Sequence, residues 1–214
     1  MGREALHLPL RDGIAALGLE LPAGAQARLL DYLELLQRWN RAYNLTAVRD
    51  PAQMVSRHLL DSLAIAPFVA GATLADLGSG AGLPGIPLAI ATPARAVTLV
   101  DTNGKKARFL REAVRSLALD NVTVVQARVE DLDGRFDCIT ARAFASLADM
   151  LAWGGHLLAG GGRWLAMKGR WPDDELAALP PGFRLEASHV LAVPGLDAER
   201  HLLVLRRTGL ASPL

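Results

Sequence analysis

Three glycines at alternate positions, Gly78, Gly80 and Gly82, follow a short apolar run that ends in Asp76-Leu77. Glycine lets a chain turn sharply and bring its backbone against a ligand with no Cβ in the way. The segment Leu74-Ala-Asp-Leu-Gly-Ser-Gly-Ala-Gly-Leu-Pro-Gly85 reads as a buried strand, a cradling loop and a helix that begins near Pro84. A helix N-terminus adds partial positive charge to such a loop.

Gly80-Ala-Gly82-Leu-Pro-Gly85 formally matches the dinucleotide pattern G-x-G-x-x-G. In that pattern the strand runs straight into the first glycine. Here it stops at Leu77, and Gly78 already belongs to the loop. An acid two residues before that glycine is awkward beside a pyrophosphate. It suits the ammonium or sulfonium side of S-adenosylmethionine, which is the favoured cofactor, with a dinucleotide as the alternative. A purely structural turn fits less well, because three such glycines cost backbone entropy without a ligand to justify them.

The next apolar runs also end in polar groups. Asp101 closes the second, where its carboxylate can accept from both ribose hydroxyls or cap the following helix, as Asn103 can too. The third leads into Gln126-Ala-Arg-Val-Glu-Asp131, which either meets an adenine edge or is a solvated turn. Ligands of parallel α/β sheets bind beyond the carboxyl ends of the strands, so three such ends in a row fit one site.

The fourth run leads into Thr140-Ala-Arg-Ala-Phe-Ala-Ser146. It holds no Asn-Pro-Pro-Tyr or Asp-Pro-Pro-Tyr for exocyclic amines and no Pro-Cys pair for covalent attack on a pyrimidine. No cluster identifies a general base. An acceptor with a ready lone pair, such as guanine N7, needs only alignment and desolvation. Arg142 can hydrogen-bond guanine O6, hold the cofactor, or form a structural ion pair; Phe144 can stack on a base or fill the core. Other basic groups are scattered: Arg108, Arg111 and Arg115 on one helix face, Lys168 and Arg170 after a strand, and Arg200-His201 opening the last strand. His58 and His201 read as hydrogen-bonded structural histidines before they read as catalysts.

The elements that must position these groups follow from periodicity. Residues 1–70 read as a helical extension. Leu29, Leu33, Leu36 and Tyr43 recur at helical spacing over Ala25–Tyr43, and Asp50-Pro51 caps and opens a further helix carrying Arg57, His58 and Asp61. From residue 71 to 214 the pattern becomes strand–helix alternation. Strands are predicted at Thr73–Leu77, Ala96–Val100, Val122–Gln126, Phe136–Ala141, Arg163–Met167, Phe183–Val193 and His201–Arg206. The last two are longer and more alternating, as an antiparallel pair at one edge would be. The expected fold is a seven-stranded, mostly parallel, Rossmann-like α/β sheet.

Composition is consistent with this. Half of the 214 residues are hydrophobic and the net charge is +1, so the chain is globular and is not a basic nucleic-acid tail. The lone Cys138 rules out an internal disulfide and a cysteine-built zinc site, and it reads as a small buried hydrophobe. No metal site, signal peptide or membrane-crossing run is expected, which fits a reducing cytoplasm.

Asn44-Leu-Thr-Ala47, Arg57-His-Leu-Leu-Asp-Ser62, the Asp76–Pro87 loop, Arg142-Ala-Phe-Ala-Ser146 and Glu199-Arg-His-Leu202 together resemble the ribosomal RNA small subunit methyltransferase G (RsmG/GidB) family, from about Leu29 to Arg206. The resemblance implies a class I methyltransferase that methylates N7 of one guanine of bacterial 16S ribosomal RNA near the decoding site. The substrate would be the RNA within the small subunit. It further implies that Gly78, Gly80, Leu83, Asp101, Thr102, Asn103, Val129, Glu130 and Arg142 line the donor site. Arg142 would position without acting as a base. Asn44, Arg57, His58, Asp61, Lys168, Arg200 and His201 match the family's polar residues outside the donor site, with substrate contact expected for Asn44, Arg57, His58, Lys168, Arg200 and His201.

Overall fold

The computed structural model describes residues 3–143 and 145–208, so Phe144 lies outside the described residues. Seven strands form one sheet in the order β3-β2-β1-β4-β5-β7-β6. They are β1 (Thr73–Leu77), β2 (Ala96–Val100), β3 (Val122–Val125), β4 (Phe136–Arg142), β5 (Leu158–Lys168), β6 (Phe183–Val190) and β7 (His201–Arg207). β3, β2, β1, β4 and β5 pair in parallel, and only β7 runs against its neighbours.

Three details depart from the sequence expectation. The antiparallel pair expected at one edge is β6 with β7, but β7 lies inside, between β5 and β6, so its Leu202–Leu205 are four buried residues in succession where alternation was expected, while β6 at the edge alternates. β6 also ends at Val190, and the buried Leu191 and Val193 beyond it pack into the core from an irregular segment. β5 begins at Leu158, five residues before the expected Arg163; glycines 160–162 hide its first half from an apolar pattern.

Helices cover both faces. On one face α1 (Arg3–Ala16), α2 (Ala25–Tyr43), α5 (Gly85–Ala91) and α6 (Gly104–Ser116) share a core with Leu74, Leu99, Cys138, Leu165 and Val204. α2 has its predicted bounds because Leu29, Leu33 and Leu36 fall on one stripe and are all fully buried. On the other face α7 (Leu147–Gly154) packs on Leu77, Ile139, Trp164 and Leu203. Burial pushes the Cys138 thiol up to about 11, as expected of an inert core residue.

Between α2 and β1 the chain enters α3 (Pro51–Met54), whose cap Asp50 accepts from the Ala52 N–H. It continues through a π-helical stretch, Val55–Leu60, into α4 (Asp61–Leu63). The widened π turn carries Arg57 and His58 directly before Asp61. Such turns insert one extra residue and re-aim the side chains that follow.

Because β2 and β4 flank β1 on opposite sides, the strand order reverses at β1. Chains leaving β1 and β4 part there, and a crevice opens at their carboxyl ends.

Candidate functional site

The crevice holds two adjoining cavities of about 450 and about 460 Å³, and both are lined by Gly78, Lys106 and Ala143. Their floor is the glycine loop. Gly78 and Gly80 have φ of 69° and 59°, a region glycine enters freely and other residues enter at a cost. Ser79 ties the loop to two strands: its Oγ donates to the Asp76 carbonyl at 2.7 Å and accepts from the Val100 N–H at 3.0 Å. From α2, the buried Tyr32 hydroxyl donates to the Ala81 carbonyl at 2.6 Å.

Asp76 does something different from the sequence expectation. It is wholly buried and lines neither cavity; its Oδ2 accepts from the Gly85 N–H at 3.0 Å. It fastens the helix after the loop instead of facing a cationic ligand. Burial raises its pKa to about 7, against opposing effects of the Gly85 bond and the Arg142 charge.

The second cavity contains Asp101, Thr102, Val129 and Glu130, the residues expected at the ribose and adenine, with Arg128 and Trp153 beside them. Asp101 accepts from the Gly80 N–H at 2.9 Å and from the Asn103 N–H at 2.8 Å, and Lys106 Nζ lies 3.7 Å away. Asn103 takes the capping role: its side chain accepts from the Lys105 and Lys106 N–H groups, and it lines neither cavity. Leu83 and Gly80 line the first cavity.

That first cavity also collects Arg142, Arg200, Lys168 and Asp61. Asp61 is buried to 1% exposure and joins the two arginines. Arg142 Nη1 donates to its Oδ2 and Arg200 Nε to its Oδ1, both at 2.9 Å. Arg142 Nη1 also donates to the Arg57 carbonyl at 3.1 Å, and Arg200 Nη1 to the Glu199 carbonyl at 2.7 Å. Arg142 ends β4, and the next residue, Ala143, has φ of 50°, a strained conformation for a residue with a Cβ. That kink turns the chain away from the sheet where the two cavities meet. Lys168 is paired with Glu175 at 2.8 Å and donates to the Ala145 carbonyl at 3.2 Å.

Several residues expected at the substrate lie outside the two cavities. His58 is buried, and its Nε2 meets Thr46 Oγ1 at 2.9 Å. Desolvation lowers its pKa to about 4, which keeps the ring neutral and structural. It holds Thr46, which does line the cavity and whose backbone Asn40 grips at both N–H and C=O. Asn44 caps α2 at φ 49° and accepts from Arg49; Arg57 projects an exposed side chain; His201 packs beside Trp171. None of the three lines either cavity.

A family described as rRNA small subunit methyltransferase G matches residues 25–203. The chain belongs to this family. Ribosomal RNA small subunit methyltransferase G of Xanthomonas campestris pv. campestris (strain 8004) is 58% identical over 200 residues, covering 92% of this chain and 93% of that protein. The protein of the same name from Pseudomonas aeruginosa (strain LESB58) is 56% identical over 202 residues, covering 93% and 94%. Solved structures share the fold at low identity. The glycopeptide N-methyltransferase MtfA complexed with S-adenosyl-L-methionine superposes with a TM-score of 0.57 at 15% identity, covering 71% of this chain and 88% of its own. The ribosomal protein L11 methylase of Lactobacillus delbrueckii subsp. bulgaricus gives 0.53 at 20%, covering 70% and 77%. The expected class I methyltransferase architecture is therefore the one this member of the rRNA methyltransferase G family adopts.

Asp61 as the joint of two arginines, Tyr32 under the loop, and Lys106 and Thr46 on the cavity walls carried no local sequence signal of this kind. Asp61 and Tyr32 act on partners far along the chain, at Arg142, Arg200 and Ala81. Only the match of Asp61 to the family's polar residues pointed at it.

Proposed function

We propose that the protein transfers the methyl group of S-adenosylmethionine to N7 of one guanine of bacterial 16S ribosomal RNA near the decoding site, within the small subunit. The family membership supports an rRNA acceptor. The observation that carries the N7 assignment is the state of the acids in the cleft. Among the described residues, Asp61 is held by two guanidiniums and Asp101 by two backbone N–H groups, Glu130 stands exposed at the far cavity, and no histidine lines either one. A nucleophile with its own in-plane lone pair is the acceptor that needs none of them as a base.

The cleft fits the donor. Gly78 and Gly80 bring backbone without Cβ atoms to the cavity wall, and a Cβ built on Gly80 would meet only the Gly78 carbonyl oxygen, at 3.8 Å. Asp101, 7% exposed at the floor, has acceptor capacity for ribose hydroxyls. Bound S-adenosylmethionine supplies an electrophilic methyl on a sulfonium. A guanidinium is not a general base, so the role of Arg142 is positioning: its remaining N–H groups would be offered to guanine O6 and would orient N7 toward the donor. Methylation at N7 would leave the guanine cationic beside the guanidiniums of Arg142 and Arg200, whose charge would favour its release. Lys168, Arg200 and Thr46 shape the wall that receives the base.

Incubation with labelled S-adenosylmethionine and small subunits lacking the modification tests this. Label should enter 16S RNA at a single-turnover rate nearly flat with pH through neutrality. A rate that climbs tenfold per pH unit would reveal a general base and overturn the N7 assignment.

A further inference from the structure

The chain leaves β5 as Lys168-Gly-Arg-Trp171, starting from the wall of the Arg142–Arg200 cavity. Lys168 and Gly169 line that cavity, and a Cβ on Gly169 would lie 3.8 Å from Arg200 Nη1. Two residues on, Trp171 keeps 39% of its surface exposed. An exposed indole is ordinarily loose, but this one is pinned at two points. Its N–H donates to Asp173 Oδ1 at 2.9 Å. Its ring meets that of His201 near edge-on, with centroids 5.7 Å apart and planes at 68°. His201 in turn sits opposite Lys168 in the β5–β7 register, so the ring is indexed to the cavity wall through the sheet.

A large apolar ring held rigid and half open to water loses side-chain entropy and leaves apolar area unburied. A partner that covers the ring recovers both. Arg170 is exposed beside it, but Asp173, Asp174 and Glu175 open the following α8 (Asp173–Ala177) and offset that charge. The attraction must therefore come from the ring itself, and unpaired nucleobases stack on such rings in single-stranded RNA recognition.

We propose that Trp171 is a stacking platform for an unpaired base flanking the guanine that enters the Arg142–Arg200 cavity. This rests on rRNA being the substrate. His201 acts here as a positioning residue that holds the ring.

The test compares wild type, Trp171→Ala and Trp171→Phe for methyl transfer to small subunits lacking the modification. Affinity for S-adenosylhomocysteine and melting temperature are measured alongside. Trp171→Ala should raise KM for subunits by roughly tenfold, Trp171→Phe should stay within about threefold of wild type, and donor affinity and melting temperature should hold. An unchanged KM in Trp171→Ala, or Trp171→Phe as impaired as Trp171→Ala, overturns the platform while leaving the rRNA reading intact. A loss of donor affinity or melting temperature that accompanies the KM change assigns the ring to folding and overturns it as well. Wild type inactive on subunits refutes the rRNA reading, and the platform falls with it.

Discussion

Replacing Asp61 by Asn separates positioning from charge at the mouth of the cleft. The two bonds it accepts, from Arg142 and from Arg200, are both charge-assisted and 2.9 Å long. Bonds of that kind contribute about 1.5–3 kcal/mol each. Both arginine side chains retain some exposure, 22% and 23%, so solvent screens them and the lower part of that range applies. An asparagine keeps one acceptor oxygen and turns an N–H₂ toward the other guanidinium, so one of the two bonds is lost. Arg142 keeps its bond to the Arg57 carbonyl, which limits its drift. Loss of about 2 kcal/mol of positioning predicts a kcat about 30-fold lower. The assay is single-turnover methyl transfer to unmodified small subunits, with S-adenosylhomocysteine affinity as the control. That affinity should stay within about twofold of wild type, because Asp61 lines the cavity away from Asp101. In an Arg142→Ala background the same change should cost less than about threefold more, since the group it positions is gone. Fully additive losses, or near-normal turnover in Asp61→Asn, would refute the argument that Asp61 works through Arg142.

Two further outcomes follow from the site. S-adenosylmethionine or its demethylated product at a hundredfold excess over Kd should stabilise the fold by about 2.7 kcal/mol, raising Tm by roughly 5–10 °C, and NAD should not. Gly78→Asp, which places a charged side chain where the two cavities meet and where φ is 69°, should abolish that shift while circular dichroism shows a folded protein. Stability against pH should report two buried groups with opposite slopes. Asp76, raised from 3.8 to about 7 by burial, binds its proton more tightly when folded, so its contribution is full below its unfolded value and is lost as pH rises through about 7. His58, lowered from 6.5 to about 4 by burial, contributes fully above 6.5 and loses that contribution as pH falls toward about 4. Between them the two nearly cancel. Urea melts of Asp76→Asn should therefore show stability rising with pH across this window, by at most about 1.4 kcal/mol per unit, and His58→Asn should show it falling. Parallel profiles for both variants would contradict the burial argument.

The parts of the fold legible in the sequence are those coded by local pattern. Leu29, Leu33 and Leu36 mark α2 to its observed ends, and the strand leading into Gly78 places the loop at the carboxyl end of the central β1. What stayed hidden depends on long-range pairing. The place of β7 between β5 and β6 cannot be read from alternation, because an inserted strand is buried on both faces. The π turn before Asp61 has no signature of its own. Asp76 illustrates a subtler limit: its type and spacing suggested a cation partner, yet its backbone position turns the carboxylate into the core toward Gly85. Similarly, Asn44, Arg57, His58 and His201 sit among the polar residues that resemble the family, but His58 holds Thr46 and the other three surround the cleft without lining it. Phe144, proposed from sequence as a base-stacking or core ring, lies outside the described residues.

The central claim is the identity of the methylated atom. Methylation at N7 makes a guanine cationic and its glycosidic bond labile after borohydride reduction, so aniline cleaves the RNA chain there. Small-subunit RNA from unmodified particles treated with the enzyme and S-adenosylmethionine should acquire a single new aniline cleavage site, at one guanine in a loop near the decoding site, and none without the donor. Label incorporated with no new cleavage, or cleavage scattered over many guanines, would contradict the account.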